Sequence, residues 1–415
     1  MGFGTRSLLS ANFPRQLNNP ANVICGVAAG QLTLSLGAEP AIKPPMSSTA
    51  SIVRSASQAT MPARHLRALR LWLGALAALI VAMILIGGAT RLTDSGLSIT
   101  EWQPILGAIP PLNKADWQRA FEAYQTIPEY TELKRGMSLD AFKTIYWWEW
   151  AHRFLGRLIG VAFFVPFVVF WALDYIPRPL LPRLIGLFLL GALQGAVGWY
   201  MVISGLVERT DVSQYRLAAH FGVALVILGY TLWFLFGLSG ERQAAMTAAR
   251  GRSAGWVAGL VLALIFVQML AGALVAGLDA GMGFNTWPLI DGAFVPQGLG
   301  EASPWYLNLF ENPLTVQFDH RMLGYAVVVA ALGQLVWLAV KAAPPVLMGS
   351  ALTLALLAVL QATIGVWTLL LAVPITLGVA HQAGAIAVFA ASLYHFWLAR
   401  RAPLRTGEAH PAASA

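Results

Sequence analysis

The sequence predicts an all-α polytopic membrane protein of eight transmembrane helices, arranged as two tandem pseudo-symmetric four-helix bundles with both termini cytoplasmic. Three observations carry that expectation. Of 415 residues, 57% are hydrophobic and 11% charged, and the mean hydropathy is +0.65, a balance that no ordinary soluble domain shows. Eight apolar stretches reach the roughly 20 residues needed to cross a bilayer; they run at about 70–90, 150–172, 183–206, 214–237, 255–277, 317–340, 346–371 and 375–398. The chain also repeats itself. WEWAHRFLG answers VQFDHRMLG, LLGALQGAVGWY answers LLAVLQATIGVW, and LAAHFGVALVILGYTLW answers GVAHQAGAIAVFAASLYHFW. The first copy thus carries His152 and His220, and the second carries His320 and His381.

Residues 1–63 resemble nothing else in the chain. They are rich in Ser, Ala, Asn and Pro, and Arg6, Arg15, Lys43 and Arg54 stand against the single acid Glu39. A mitochondrial transit peptide, a disordered tail and an extension upstream of a true start at Met46 or Met61 all fit this composition. The Gly- and Ala-rich body inclines the reading to a bacterial protein. The first bundle is expected over 64–240, with a long outer loop at 91–146, the second over 241–400, and a cytoplasmic tail over 401–415.

Orientation follows from the basic residues in the short connections. Arg64, Arg67 and Arg70 precede the first helix, and Arg178 and Arg183 follow the second. Arg242, Arg250 and Arg252 separate the halves, Lys341 follows the sixth helix, and Arg400, Arg401 and Arg405 follow the eighth. All fall on one side, which the positive-inside rule makes the cytoplasm or its equivalent. The net charge of +8 therefore reads as topology and contact with anionic membrane lipid, not as nucleic-acid binding.

The four histidines all lie near the starts of even-numbered helices. His320 is seven residues after Pro313, in an Asn-Pro pair suited to a helix start, and His381 is seven after Pro374. At about 1.5 Å per residue, both sit on the order of 10 Å along their helices. His220 matches if its helix opens near Ser213, while the helix of His152 starts earlier, around Ser138. All four are expected in the outer half of the bilayer. A lone intramembrane histidine is as readily explained by a bond to a backbone carbonyl. Paired imidazoles at repeat-related positions point instead to haem iron held from both sides, one haem per bundle. His65, His395 and His410 have no partner in the repeat and are expected to be interfacial or solvated.

Arg153 and Arg321 each follow a ligand candidate directly. A guanidinium there suits a haem propionate, although a snorkelling arginine would occupy the same place. Arg91, at the outer end of the first helix, is a further candidate for propionate contact. The halves differ three residues before the first histidine of each pair, where Glu149 corresponds to Gln317. Positions three apart share a helix face, so Glu149 is expected beside the macrocycle edge, able to accept or pass protons. That contrast suggests one haem site with chemistry and one that transfers electrons.

At these residues the chain resembles a known family. GGATRLTDSGLSITEWQPILGAIPPL (87–112), IYWWEWAHRFLGRLIG (145–160), GLDAGMGFNTWPLIDGAFVP (277–296) and FDHRMLG are similar to haem A synthases, more narrowly to the alphaproteobacterial and mitochondrial branch. The resemblance covers roughly residues 65–400. It implies oxidation of the C8 methyl group of haem O to a formyl group by two successive hydroxylations, giving haem A for cytochrome oxidase. It implies that His152 and His220 bracket the substrate haem iron, with Glu149 as the catalytic carboxylate, and that His320 and His381 ligate the iron of a permanent haem b. It further implies partnership with the farnesyltransferase that makes haem O and with cytochrome oxidase assembly factors. The location implied is a bacterial inner membrane, with the mitochondrial inner membrane as the alternative; the electron partner and any homo-oligomer stay open.

One departure matters. Some members carry a cysteine pair in the first outer loop, whereas the single cysteine here is Cys25. No electron path through a loop disulfide is open to this chain, and the Glu101–Pro111 segment is instead expected to cover the substrate haem. Two rival readings remain: a dihaem b-type electron carrier resembling quinone oxidoreductases, which gives no reason for Glu149 in one half alone, and a transporter built from parallel repeats, whose histidines would move protons.

Overall fold

Long apolar runs bounded by Ser, Asn and Pro become helices, because a buried backbone must satisfy its own polar groups inside a membrane. The computed structural model describes residues 61–103, 106–207, 209–238 and 252–401. Residues 1–60, Arg242, Arg250, Arg405 and His410 lie outside them. The spans are α1 (Ala63–Leu92), α2 (Leu139–Ala172), α3 (Leu181–Gly205), α4 (Gln214–Gly237), α5 (Arg252–Gly277), α6 (Pro313–Val340), α7 (Pro345–Leu370) and α8 (Ile375–Ala399). Among the described residues these eight are long and apolar enough to cross a membrane, and the chain is a multi-pass membrane protein. The expected starts hold. The Ser138 side chain caps α2 by accepting from the Ala141 N–H at 3.2 Å, and Ser213 stands at the N-cap of α4. The Asn312 side chain caps α6 by accepting from the Leu314 N–H at 3.0 Å, with Pro313 in the first helical turn.

Helices α1, α4, α5 and α8 pack together at the centre, α1 and α5 each lying against both α4 and α8. Leu69, Leu73, Leu76 and Ile80 of α1 meet Leu225 and Leu228 of α4 and Ile386 and Phe389 of α8 in one apolar core. Helices α2 and α3 flank this centre through α1 and α4, as α6 and α7 do through α5 and α8. At the basic end, the Arg70 Nε donates to the Leu238 carbonyl at 3.0 Å, and His65 stacks on Tyr175 with ring centres 3.8 Å apart. His65 is thus partly buried beneath Tyr175.

His395, expected to be interfacial or solvated, is instead 1% exposed, and its ring lies 2.9 Å from Gln334 Nε2 and 2.8 Å from Ser350 Oγ. Gln334 offers an N–H to Nε2, which leaves the Nδ1 proton to be donated to Ser350, whose hydroxyl donates in turn to the Leu347 carbonyl at 2.8 Å. The imidazole cross-links α6, α7 and α8, and both its partners come from other helices, so nothing local in the sequence marked it as buried.

The long outer loop is a small cap with its own core. A helix at Lys114–Tyr124, capped by the Asn113 side chain, and a π-turn at Glu129–Leu133 bring Leu97, Phe121, Tyr124 and Ile127 against Phe142, Ile145 and Tyr146 of α2. Glu129 is buried here, paired with Lys134 at 2.7 Å, and Lys134 also donates to the Asp94 carbonyl at 2.7 Å. Burial raises the Glu129 carboxyl above its ordinary value of 4.5 against the pull of Lys134. The folded cap therefore holds that proton to higher pH than the unfolded chain does, so its stability falls as pH rises from 4.5 through the raised value. Glu129→Gln is expected to melt above wild type at pH 8, with the gap closing towards pH 5. A variant that melts lower at pH 8 would contradict this sign.

Candidate functional site

Each of the four histidines lies against a glycine of a neighbouring helix. A Cβ placed on Gly87 of α1 would stand 2.7 Å from Cε1 of His152 on α2, and one on Gly198 of α3 would stand 2.9 Å from Cε1 of His220 on α4. The second half repeats this, with Gly272 of α5 at 3.0 Å from His320 on α6 and Gly365 of α7 at 2.7 Å from His381 on α8. At such distances any side chain would displace the ring, so these glycines fix how deeply each imidazole sits. They occupy matching places in the two copies, a signal present in the sequence that the histidine pattern alone did not draw out.

In the second half the His320 and His381 rings face each other with centres 6.4 Å apart and planes at 78°. A metal about 2 Å from one nitrogen of each ring requires a centre separation of about 6 Å, so this pair fits a single iron between the two rings. The Gln361 Nε2 lies 3.0 Å from His381 Nδ1 and donates to the His381 carbonyl at 2.7 Å, while Gln268 donates to the His320 carbonyl at 2.9 Å. An amide N–H given to Nδ1 leaves the proton of the neutral ring on Nε2, so Nε2 is free for a metal only when the Gln361 amide turns to offer its oxygen to Nδ1–H. The first half is set differently. Gln194, the counterpart of Gln361, lies 3.2 Å from His220 Nε2 rather than Nδ1; the Nδ1 atoms of His152, His220 and His320 are all buried without a hydrogen-bond partner. The two pairs thus differ in which ring nitrogen the glutamine covers, Nδ1 of His381 in the second half and Nε2 of His220 in the first.

Beside each pair, three side chains spaced four residues apart tie the preceding loop to the helix. On α2, Glu149 is 3% exposed, and its Oε2 accepts from the Ser98 hydroxyl and the Ile99 N–H, both at 2.7 Å. Its Oε1 accepts from Arg153 at 3.0 and 2.6 Å. Arg153 also donates to the carbonyls of Ile99 at 2.8 Å and Glu101 at 3.1 Å, and Arg157 donates to that of Gln103 at 2.9 Å. On α6, Gln317 donates to the Ala280 and Gly283 carbonyls at 2.6 and 2.7 Å. Arg321 donates to Phe284 at 2.7 Å, to Thr286 at 2.9 Å and to the Gln317 side chain at 2.7 Å, and the Tyr325 hydroxyl accepts from the Trp287 indole at 2.9 Å. The two ladders occupy matching positions in the repeat. Glu149 accepts from a loop that offers N–H and O–H, whereas Gln317 donates to a loop that offers carbonyls. Arg153 and Arg321 place these donors on loop carbonyls, and Arg91 pairs with Asp94 at 2.7 Å and with Asp279 at 2.8 Å, joining the ends of α1 and α5. The sequence had put these three arginines towards propionates.

Gln317→Ala strands two buried carbonyls and removes one of the three acceptors of Arg321, a cost of about 1–3 kcal/mol for each polar group left unpaired. The expected result is a lower melting temperature and faster proteolysis within 279–290, with the first-half loop unaffected; unchanged proteolysis there would remove the ladder from the account.

Eight membrane spans, the facing His320 and His381 rings and two loops tethered to α2 and α6 define a polytopic protein with a candidate paired-imidazole site. The chain belongs to the cytochrome oxidase assembly protein family, whose pattern matches residues 70–393. It is 51% identical over 300 residues to a haem A synthase of Parvibaculum lavamentivorans, covering 72% of this chain and 85% of that one. It is 52% identical over 299 residues to one of Allorhizobium ampelinum (72% and 81%), and 56% identical over 271 residues to one of Azorhizobium caulinodans (65% and 76%).

Proposed function

We propose that this chain is a haem A synthase, oxidising the C8 methyl group of haem O to a formyl group. Its identity with enzymes of that name across both halves is the observation that carries this reading. The second pair, His320 and His381, would hold haem b between the α6 and α8 imidazoles, with the Gln361 amide turned to accept from His381 Nδ1–H. Bound there, haem b supplies one-electron transfer. The first pair, His152 and His220, receives the substrate haem O. Glu149 stands one helical turn before His152, and its bonds to Ser98, Ile99 and Arg153 fix the carboxylate against rotation. From that place it accepts or passes the protons released as the methyl group is oxidised. The Ser98–Gln103 segment, tied down by the ladder, keeps water from the outer side of this pair. Arg153 and Arg321 retain contact with propionates as a second duty.

The proposed setting is a bacterial inner membrane with the basic end in the cytoplasm. A haem O-forming farnesyltransferase supplies the substrate, and oxidase assembly factors receive the product. Cells deleted for their own haem A synthase and given this chain should regain the haem A absorption of their oxidase. Restored haem b binding without haem A would favour the dihaem electron carrier instead.

A further inference from the structure

The two halves differ most where α2 faces α3. Helices α6 and α7 pack closely, whereas α2 and α3 barely touch. They meet near the basic end, where Phe188 of α3 lies 6.0 Å from Phe163 and 5.9 Å from Phe164 of α2, ring centre to ring centre. At the loop end a cavity of about 160 Å³ is lined by Thr100, Glu101, Trp102 and Arg153 on one side and Trp199 and Val202 on the other. Phe188, Gly191, Gly195, Trp199 and Val202 recur every three or four residues, so they form one stripe of α3, and its two ends both face α2. Between those ends, Gly191 and Gly195 are exposed, and a Cβ on either would meet nothing within 4 Å. Gly160 of α2, one turn before Phe163 and Phe164 that meet Phe188, is equally open.

The register that pairs His152 with His320 places Val328 opposite Gly160, and the register that pairs Gln194 with Gln361 places Ala358 and Ala362 opposite Gly191 and Gly195. Ala358 is 3% exposed, and Val328 packs against the core. The side chains that help close the second half are therefore missing in the first. The slot has a phenylalanine floor and a lintel made by the tethered loop; Gly198, three residues after Gly195 on α3, lies against the His220 ring, and the buried Nδ1 atoms of His152 and His220 lack partners, as does that of His320.

We infer that the seam between α2 and α3 is a lateral portal through which haem O passes between the bilayer and the first histidine pair, its isoprenoid tail lying along Gly160, Gly191 and Gly195. This rests on the proposal that the first pair takes haem O. The ligand chemistry fits the slot: a flat macrocycle needs a narrow opening, and an isoprenoid chain needs an apolar one that opens to lipid. A permanent haem needs no such door, and the second half has closed it.

The test is haem loading, read apart from turnover. The full chain, carrying Cys25→Ser, is purified from membranes that contain haem O, and its extracted haems are resolved by mass. Gly191→Leu with Gly195→Leu should keep haem b at the wild-type amount and lower haem O plus haem A by about fivefold or more, as expected where bulky side chains replace glycines at a helix–helix seam. Val226→Trp, in the apolar groove on another side of α3 formed with α4 and α5, should load as wild type. A second arm avoids any folding defect: Gly160→Cys with Gly191→Cys is bridged after purification by a cleavable bis-maleimide, which should block haem O uptake from vesicles until it is cleaved. Wild-type loading by the leucine variant, loss of loading in Val226→Trp, or unhindered uptake by the bridged protein would each overturn the portal. Wild-type protein that loads haem O and never yields haem A would instead overturn the proposed reaction and leave the portal standing.

Discussion

Glu149→Gln is expected to abolish haem A formation while leaving the first outer loop in place. Glutamine keeps the length of the side chain and one acceptor oxygen, which can still accept from the Ser98 hydroxyl and the Ile99 N–H. Its amide N–H groups then face the Arg153 donors, so that contact is lost while Arg153 keeps its loop carbonyls. What the amide cannot do is accept a proton at the substrate. Losing a positioned acid–base group costs about 10²–10⁴ in rate, and haem O should accumulate bound to the protein. Glu149→Ala should lose both functions, showing faster proteolysis within 98–103 as well as no haem A. If Glu149→Gln converts haem O at the wild-type rate and Glu149→Ala fails, the carboxylate is a tether and not a proton acceptor.

The second large effect is expected at the other pair. His320→Ala removes one of two facing rings and should eliminate the low-spin bis-histidine spectrum of the second half. Gly272→Val should do the same without touching a proposed ligand, because its added side chain enters the space of the His320 ring, 3.0 Å away at the Cβ alone. Both variants should still take up haem O at the first pair. Retention of the b-type spectrum in His320→Ala would show that this ring is not an axial ligand.

The eight helices and the starts of those that carry the four histidines were legible in the sequence because they are encoded locally, in hydropathy and in Ser, Asn and Pro at helix starts. The ladders were only half legible. Glu149 with Arg153 and Gln317 with Arg321 show their four-residue spacing plainly. Reading each arginine against the neighbouring histidine drew attention from that spacing, and the acceptors are loop carbonyls that no residue type announces. The four glycines beneath the histidines mark themselves once the two copies are aligned, since each sits on a different helix from the ring it supports. The buried place of His395 depends on Gln334 and Ser350, 61 and 45 residues away, and is a product of packing alone. The outer loop carried a clear capping signal at Asn113 ahead of Asp116, and its core of Phe121, Tyr124 and Phe142 is what makes it a folded cap.

The account stands or falls on one chemical conversion. The most direct measurement is a mass-resolved haem extract from membranes that express this chain together with a haem O synthase, in cells with no haem A synthase of their own. The account predicts haem A in that extract, and haem O in its place when Glu149 is changed to glutamine. An extract holding haem b and haem O alone, beside a bound bis-histidine spectrum, would contradict it.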